Sequence, residues 1–408
     1  MKAIINRLVA YTKRQLSLVQ FKETYRVSPK DFTRNSPLNF KTTALMILNM
    51  IKKSIRVEVM DYFRQDYENI IKIPARQSFT EAREKISYLA FKDFFEKSCE
   101  LAVYQDEPRT YKGYRLFAAD GISFIVGELE KLKEYFGEST TVEGKAMCRI
   151  GAVVDIMEES IVNAVVSPFS TGERAIAIGQ IRELKDVREA LFLFDRGYWS
   201  PELVHNIIAN GQKFLMRLAS NNKNVKLEDE NGKIIDIRRY TFILPSGEEE
   251  ILLTNIPENE VSDDELAVLY SKRWGIETKY LELKTRLDID VLSGNTSNIV
   301  LQDIYSTMYI SNLTAFICRE ADDIIGKRTA DNDNKYAQKA NRSMCIAALR
   351  KRFIRICLMD NPGKQSRALD LLVDDISTEV SYINKSKPRP RNMKSFKNKR
   401  KKRRNSYL

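Results

Sequence analysis

Ala190-Leu-Phe-Leu-Phe-Asp195-Arg-Gly-Tyr198 is a run of five apolar residues that meets an acid and then a glycine. An unbroken apolar run of this length, closed by turn chemistry, reads as a strand buried on both faces. Upstream, Glu173 to Lys185 is a helix. Ile150–Val154 and Ile161–Val166 are two strands joined by a turn at Met157-Glu-Glu-Ser. Before them, Tyr114-Arg-Leu-Phe-Ala-Ala is a short buried strand ending in Asp120-Gly121. Downstream, Pro201–Ala209 is a helix and Lys213–Leu218 a fifth strand. The order β-β-β-α-β-α-β predicts a mixed α/β fold, a mixed sheet covered by helices. Residues 219–262 are polar, with Asn231-Gly and Ser246-Gly turns and alternating strands around Ile234–Ile243 and Glu249–Leu253, a β-rich insertion.

After the insertion comes a helix opened by the N-cap Ser262 and the acidic Asp-Asp-Glu, with no proline through Lys284. At about 100° per residue, Tyr270, Arg273, Glu277 and Lys284 share one arc about 60° wide. Arg and Lys bind phosphate oxygens and a carboxylate holds a metal ion, so the stripe suits a metal beside phosphate. A solvated face laced with i,i+4 ion pairs is an equal alternative from this stretch alone. Asp120 and Asp195 each follow an apolar strand, where open sheets present functional groups and where an unpaired carboxylate is costly. With Glu277 they make three carboxylates, a set able to hold two Mg²⁺ ions for in-line phosphoryl displacement. Asp155 and Glu282 compete, although Asp155 adjoins a hairpin turn, where Asp is common for structural reasons.

The remaining sequence narrows the chemistry. A single histidine, His205, excludes multi-histidine metal sites and leaves little room for a Ser-His-Asp or Cys-His mechanism. Five dispersed cysteines without a CxxC pair fit reduced core thiols. No apolar run is long enough to span a bilayer, and the first residues lack the apolar core of a signal peptide, so no membrane association and a cytoplasmic location are expected. The net charge is +12, and residues 385–408 alone hold twelve Lys or Arg and no acid, leaving 1–384 formally neutral. Such a tail is disordered by composition and suits polyanion binding.

Residues 1–108 read as helical. Leu45, Leu48, Ile51, Ile55 and Val59 give Phe40–Tyr62 a helical period. Past Pro74, Ser78 and Glu81 form a capping box that opens a second helix. Arg76, Gln77, Thr80, Arg83 and Lys85 lie near its start, the part of a recognition helix that reaches base edges. A plain helical hairpin fits the spacing equally well. Val300–Ala321 and Ser343–Met359 are apolar-periodic helices, the second made basic by Lys351, Arg352 and Arg355. For these three a solvated face is the default and a backbone-phosphate contact the alternative.

Asp120-Gly-Ile-Ser, Leu-Phe-Asp195-Arg-Gly-Tyr and Tyr270-x2-Arg273-x3-Glu277-x6-Lys284 together resemble the three signatures of DDE-type insertion-sequence transposases, and more narrowly the family-four group marked by that Y-R-E-K spacing. The resemblance covers about residues 110–325. It implies an RNase H-like core with a β insertion, Asp120, Asp195 and Glu277 as ligands of two catalytic Mg²⁺ ions (Mn²⁺ substituting), and Tyr270, Arg273 and Lys284 on phosphates of the transposon end. It implies cut-and-paste transposition on double-stranded DNA by a homodimer on paired ends, without a small-molecule cofactor, in a bacterial nucleoid. Some members place a Trp four residues before the Thr of a Leu-Leu-Thr segment, to stack on a flipped base. Here that segment is Leu252-Leu253-Thr254 and the position holds Glu250, so Tyr240 or Phe242 must supply the stacking surface or the hairpin step differs. Trp199 and Trp274 are expected to be packing residues. The expected domains are a helical DNA-binding domain at 1–108, the catalytic domain at 109–330 with its insertion at 219–262, C-terminal helices at 331–384 as candidate dimer surface, and the basic tail at 385–408. The alternatives are an RNase H-like nuclease that cuts structured DNA and an inactive, transposase-derived DNA-binding protein.

Removing residues 385–408 is predicted to weaken DNA binding equally on all sequences and to flatten its salt dependence. Titrations of specific and random duplexes over a salt series check this; altered site preference at an unchanged salt slope would contradict it.

Overall fold

The computed structural model describes residues 1–49, 52, 54–64, 73–219, 227–228, 234–243, 247–330 and 336–383. Its elements begin with helices α1 (Lys2–Ser17), α2 (Val19–Tyr25), α3 (Phe40–Leu48), α4 (Ile55–Phe63), α5 (Arg76–Glu84) and α6 (Leu89–Val103). The sheet elements follow: β1 (Arg115–Gly127), α7 (Glu130–Phe136), β2 (Ala146–Asp155), β3 (Ser160–Pro168), α8 (Glu173–Glu183), β4 (Ala190–Phe194), α9 (Pro201–Ala209), β5 (Lys213–Leu218), β6 (Arg238–Ile243) and β7 (Glu249–Thr254). Last come α10 (Asp263–Ser271), α11 (Trp274–Thr285), α12 (Ser297–Thr329), β8 (Gln338–Ala340), α13 (Arg342–Leu358), α14 (Pro362–Thr378) and β9 (Val380–Tyr382). The chain divides into two compact units, one of Met1–Gln105, Phe124–Met147 and Leu283–Leu408, the other of Asp106–Ser123 and Cys148–Glu282.

The second unit holds the sheet, which is mixed, in the order β3-β2-β1-β4-β5-β7-β6. β4 is buried at all five positions, as its unbroken apolar sequence requires of a central strand. It runs parallel to β1, from Arg115 opposite Ala190 to Ala118 opposite Leu193, and parallel to β5 on its other side. β2 and β3 form an antiparallel hairpin, and β6 and β7 another, joined antiparallel to β5. α8 lies so close to β2 that a Cβ on Gly151 would stand 2.6 Å from Ile176 Cγ2, and only glycine fits there. Asp155 is fully buried against Arg115 Nη2 at 2.7 Å and accepts the Met157 and Glu158 N–H groups, which makes it the structural turn acid the sequence suggested. Glu282 is likewise taken up, in a buried pair with Lys279 at 2.9 Å.

The first unit is organised on α12, a helix of 33 residues whose first two-thirds are almost wholly buried. α1, α3, α6, α13 and α14 all pack against it. Near its N-terminal end Asp303 meets Arg83 Nη2 at 3.0 Å and Lys52 Nζ at 3.7 Å, and it accepts from both the backbone and the hydroxyl of Ser293. Burial opposes its charge, but Lys52, Arg83 and Ser293 hold the carboxyl well below the usual carboxylate range. All five cysteines are buried, as expected of core thiols. No helix among the described residues is long and apolar enough to cross a membrane.

Several elements depart from the sequence reading. Phe40–Tyr62 is two helices, because Lys52 turns to a φ of 62° and carries its amine to Asp303. α5 begins at Arg76 with Ala75 as N-cap, and Glu81 accepts from the Gln77 side chain instead of closing a box with Ser78. Arg83, expected on DNA, is completely buried in the Asp303 network and is a structural residue; Arg76 and Lys85 are exposed. β1 does not end at Asp120 but continues to Gly127, carried on by the apolar Ile122 and Phe124–Val126. The helix from Ser262 breaks between Ser271 and Trp274, where the N–H groups of Lys272, Arg273, Gly275 and Ile276 each bond three residues back. Gly275 there lies against Ile156, whose Cγ2 would meet a Cβ at 2.9 Å. The Asn231-Gly turn, Ser246 of the second turn and the tail at 385–408 lie outside the described residues.

Replacing Asp303 with Ala leaves the Arg83 guanidinium buried without its counter-ion, and is predicted to cost about 3–5 kcal/mol of stability. Urea denaturation of both proteins measures this, and a loss below about 1 kcal/mol would contradict it.

Candidate active site

The β1–β4 register decides the site. Ala118 pairs with Leu193, and the same register carried on by two residues sets Asp120 level with Asp195. Neighbouring strands stand about 4.8 Å apart, and the Asp195 carboxylate acts electrostatically on Asp120. Each spends one oxygen on the following backbone: Asp120 Oδ1 accepts from Gly121 N and Asp195 Oδ1 from Arg196 N, both at 2.8 Å. Tyr280 Oη donates to the Asp120 carbonyl at 2.6 Å and anchors α11 to β1. Burial pushes the Asp120 carboxyl from 3.8 up to about 6; the Gly121 N–H and Arg273 oppose the shift, while Glu173 and Asp195 add to it.

Arg273 lies at the junction of α10 and α11, 3% exposed. Its Nη2 donates to Glu277 Oε1 at 3.0 Å, and its guanidinium stands 5.7 Å from the Tyr270 ring and 5.6 Å from that of Trp274. Burial works against its charge, but Tyr270, Asp195 and Glu277 together raise its pKa above the ordinary arginine value. Arg273 thus faces Asp120, Asp195 and Glu277 at once. Tyr270 is 6% exposed, and burial pushes its phenol up. Among the described residues neither the Tyr270 hydroxyl nor Arg273 Nε has a hydrogen-bond partner. Buried donors left in this state are costly, and an arriving anion would satisfy both. Trp274 is 46% exposed beneath the Arg273 guanidinium, so it is not a core packing residue. Lys284 is half-buried in the last turn of α11.

Glu173, Arg149 and Arg217, charged groups that the sequence reading passed over, also belong here. Glu173, in the first turn of α8, packs its carboxylate against Gly121, where a Cβ would meet its Oε1 at 2.8 Å, and Arg149 Nε holds it at 3.4 Å. Arg217 on β5 pairs with Glu250 at 2.9 Å, and both act on Tyr270. Glu250 is paired across β6–β7 with Phe242, which stacks on Tyr240 at 5.6 Å and 14°. Nothing local marks Glu173 or Arg217; only their strand and helix positions bring them to this face.

The donor set fits a hard divalent cation. The chemistry is all oxygen, and the raised Asp120 carboxyl would regain its charge beside one. Among the described residues no three His, Cys, Asp or Glu side chains are gathered closely enough to hold a metal, and Glu277 is engaged with Arg273.

Residues 111–313 match the transposase DDE domain family. A protein of Escherichia coli (strain K12) named as a transposase, InsZ, is 24% identical over 155 residues, 36% of this chain and 50% of that protein. A Synechocystis protein named as the transposase for insertion sequence element IS4SA is 28% identical over 125 residues, 28% of this chain and 37% of that one. The match therefore spans half or less of these curated relatives. A cryo-EM structure of the piggyBac transposase synaptic complex with hairpin DNA aligns with a TM-score of 0.46 and 11% identity over 92% of this chain and 82% of that one.

In metal-free buffer the raised Asp120 pKa has a thermodynamic consequence. Its folded value lies above the unfolded one, so as pH rises from about 4 to 6 the unfolded chain releases its proton first and the native state loses stability. Asp120→Asn, which cannot ionise, is predicted to be more stable than wild type by about 1–3 kcal/mol at pH 8 and equal to it at pH 4. Denaturation in chelator at the two pH values tests this; the same difference at both would contradict it.

Proposed function

We propose, for a chain that belongs to the DDE-type transposases of insertion sequences, that it cuts DNA at the inverted ends of its element and joins the freed ends to target DNA by cut-and-paste. The observation that carries this reading is Asp120 on β1 and Asp195 just past the end of its parallel neighbour β4, with Arg273 acting on both. The order β3-β2-β1-β4-β5 with an antiparallel β2–β3 hairpin supports an RNase H-like core, with β6 and β7 as its insertion.

Asp120, Asp195 and Glu277 would hold Mg²⁺, or Mn²⁺ in its place. The metal would supply activation of water or a 3′ hydroxyl and stabilisation of the leaving oxygen. The chain's own groups do the rest. The Tyr270 hydroxyl, Arg273 and Lys284 bind phosphates of the element end, with the two unpartnered donors of Tyr270 and Arg273 as the pre-set part of that grip. A phosphate arriving at Arg273 competes with Glu277 for the guanidinium, so DNA binding and release of the third carboxylate are linked. Tyr240 and Phe242, stacked on each other with Phe242 across from Glu250, offer a flipped base the surface that Trp gives in some relatives. Such stacking is worth about 1–3 kcal/mol per base. Arg76 and Lys85 on α5 are the candidate contacts of an N-terminal DNA-binding region, the basic tail adds sequence-independent attraction, and the C-terminal helices serve a homodimer on paired ends.

The experiment is cleavage of DNA carrying the gene's own flanking ends, with Mg²⁺ or Mn²⁺. Asp120→Ala, Asp195→Ala and Glu277→Gln are expected to lose nicking at the element boundary while still binding the DNA. Substantial metal-dependent cleavage in any of the three would remove that residue from the site, and binding without cleavage by wild type would overturn the catalytic reading. A hairpin product that disappears in Phe242→Ala would place the stacking surface on β6.

A further inference from the structure

α13 carries five Lys or Arg among its 17 residues and no acid. The structure separates the three cations that its sequence left ambiguous. Arg352 Nη1 pairs with Asp375 on α14 at 2.6 Å. Lys351 and Arg355 instead line a cavity of about 800 Å³ together with Arg350, with Arg64 at the end of α4, and with Arg286 just past α11. Among the described residues the acids in its wall are Glu58 and Asp61, so there five cations face two carboxylates.

Arg350 is the group that calls for an occupant. Burial lowers its pKa to about 10 despite the opposing pull of Glu58 and Asp288, which still leaves it charged at neutral pH. Its Nε has no hydrogen-bond partner among the described residues, and Asn49, which donates to the Arg350 carbonyl at 2.9 Å, leaves its own Oδ1 without one. A buried guanidinium donor without an acceptor is costly, and an anion satisfies both its charge and its hydrogen bonds. Around it Arg64, Arg286 and Lys351 are exposed and project from three separate elements. One phosphate needs two or three such partners; cations spread over three elements suit successive phosphates along a strand.

We propose that this cavity is a second nucleic-acid site, binding backbone phosphates of DNA through Arg64, Arg286, Arg350 and Lys351, none of them a residue of the carboxylate site. The inference rests on the reading that the protein acts on DNA and adds to it where the strand is gripped on the α12-centred unit. The grip is on the backbone, so it contributes affinity without sequence preference.

The test is anisotropy of labelled duplex DNA against the full chain between 50 and 200 mM salt, about the range over which phosphate binding is resolved. Lys351→Gln, Arg286→Gln and Arg64→Gln alter exposed side chains and keep the test independent of folding, which Arg350→Gln does not. Each is expected to weaken binding several-fold on the element end and on random duplex alike, and to reduce the slope of log K against log salt by about 0.9 for each phosphate no longer neutralised. Arg352→Gln, in its pair with Asp375, is the control and should leave the slope unchanged. Wild-type affinity and slope in the Lys351→Gln, Arg286→Gln double variant would overturn the proposal. Calorimetry with inorganic phosphate separates the other source of the same chemistry: tight phosphate binding, lost with Lys351→Gln while DNA binding stays intact, would overturn the DNA assignment. Wild-type cleavage is measured alongside. Cleavage with unaffected variants sinks this inference alone, whereas a wild type that neither binds nor cuts DNA sinks the transposase reading and this one with it.

Discussion

A buried guanidinium cannot shed its proton, so Arg273 dictates what must surround it. At 3% exposure it needs negative partners, and it has Glu277 by hydrogen bond with Asp195 and Asp120 nearby. The dependence is mutual. Asp120 is held in a place that favours its neutral form, and Arg273 is the main charge that favours its ionised one. Removing the arginine would leave several carboxylates repelling each other at the sheet edge. The break between α10 and α11 follows from the same requirement, since the tightened turn carries Arg273 in toward the strands while Tyr270 and Glu277 stay on either side of it.

The α12-centred unit repeats this logic with the sign reversed. There a carboxylate, Asp303, is buried, and Lys52 and Arg83 come to it from separate segments. Neutralising it explains two features that propensity does not: the positive φ at Lys52 and the complete burial of Arg83 in the last turn of α5. Where such compensation is missing, at Arg350, the structure leaves a cationic cavity. The difference between a satisfied and an unsatisfied buried charge separates scaffold from candidate site in this protein.

Much of the sheet was legible because burial leaves a strong trace in composition. β4 begins and ends where its apolar run does, β5 spans Lys213–Leu218 as read, and α9 was delimited by Ser200-Pro201 and its own period. The reading failed where a local rule met a tertiary demand. Ser78 and Glu81 have capping-box spacing, yet α5 starts earlier, at Arg76 with Ala75 as its N-cap. Phe40–Tyr62 has one continuous apolar period, yet a salt bridge bends it in two. Arg83 looked like a DNA contact because sequence alone cannot tell a buried arginine from an exposed one. Glu173 and Arg217 were missed for the complementary reason, that a charge without a motif gives no local signal.

The sequence by itself determined the chemistry available: carboxylates after apolar strands, cations at helical spacing beside them, a single histidine and a basic end. Those follow from residue type and period, which are local properties of the chain. Which charges meet was decided only by tertiary structure. The parallel register aligns Asp120 with Asp195 across 75 residues, the helix junction turns Arg273 toward both, and the hairpin sets Phe242 opposite Glu250. Electrostatic energy depends on distance and burial, and neither is a property of sequence spacing once the chain has folded back on itself.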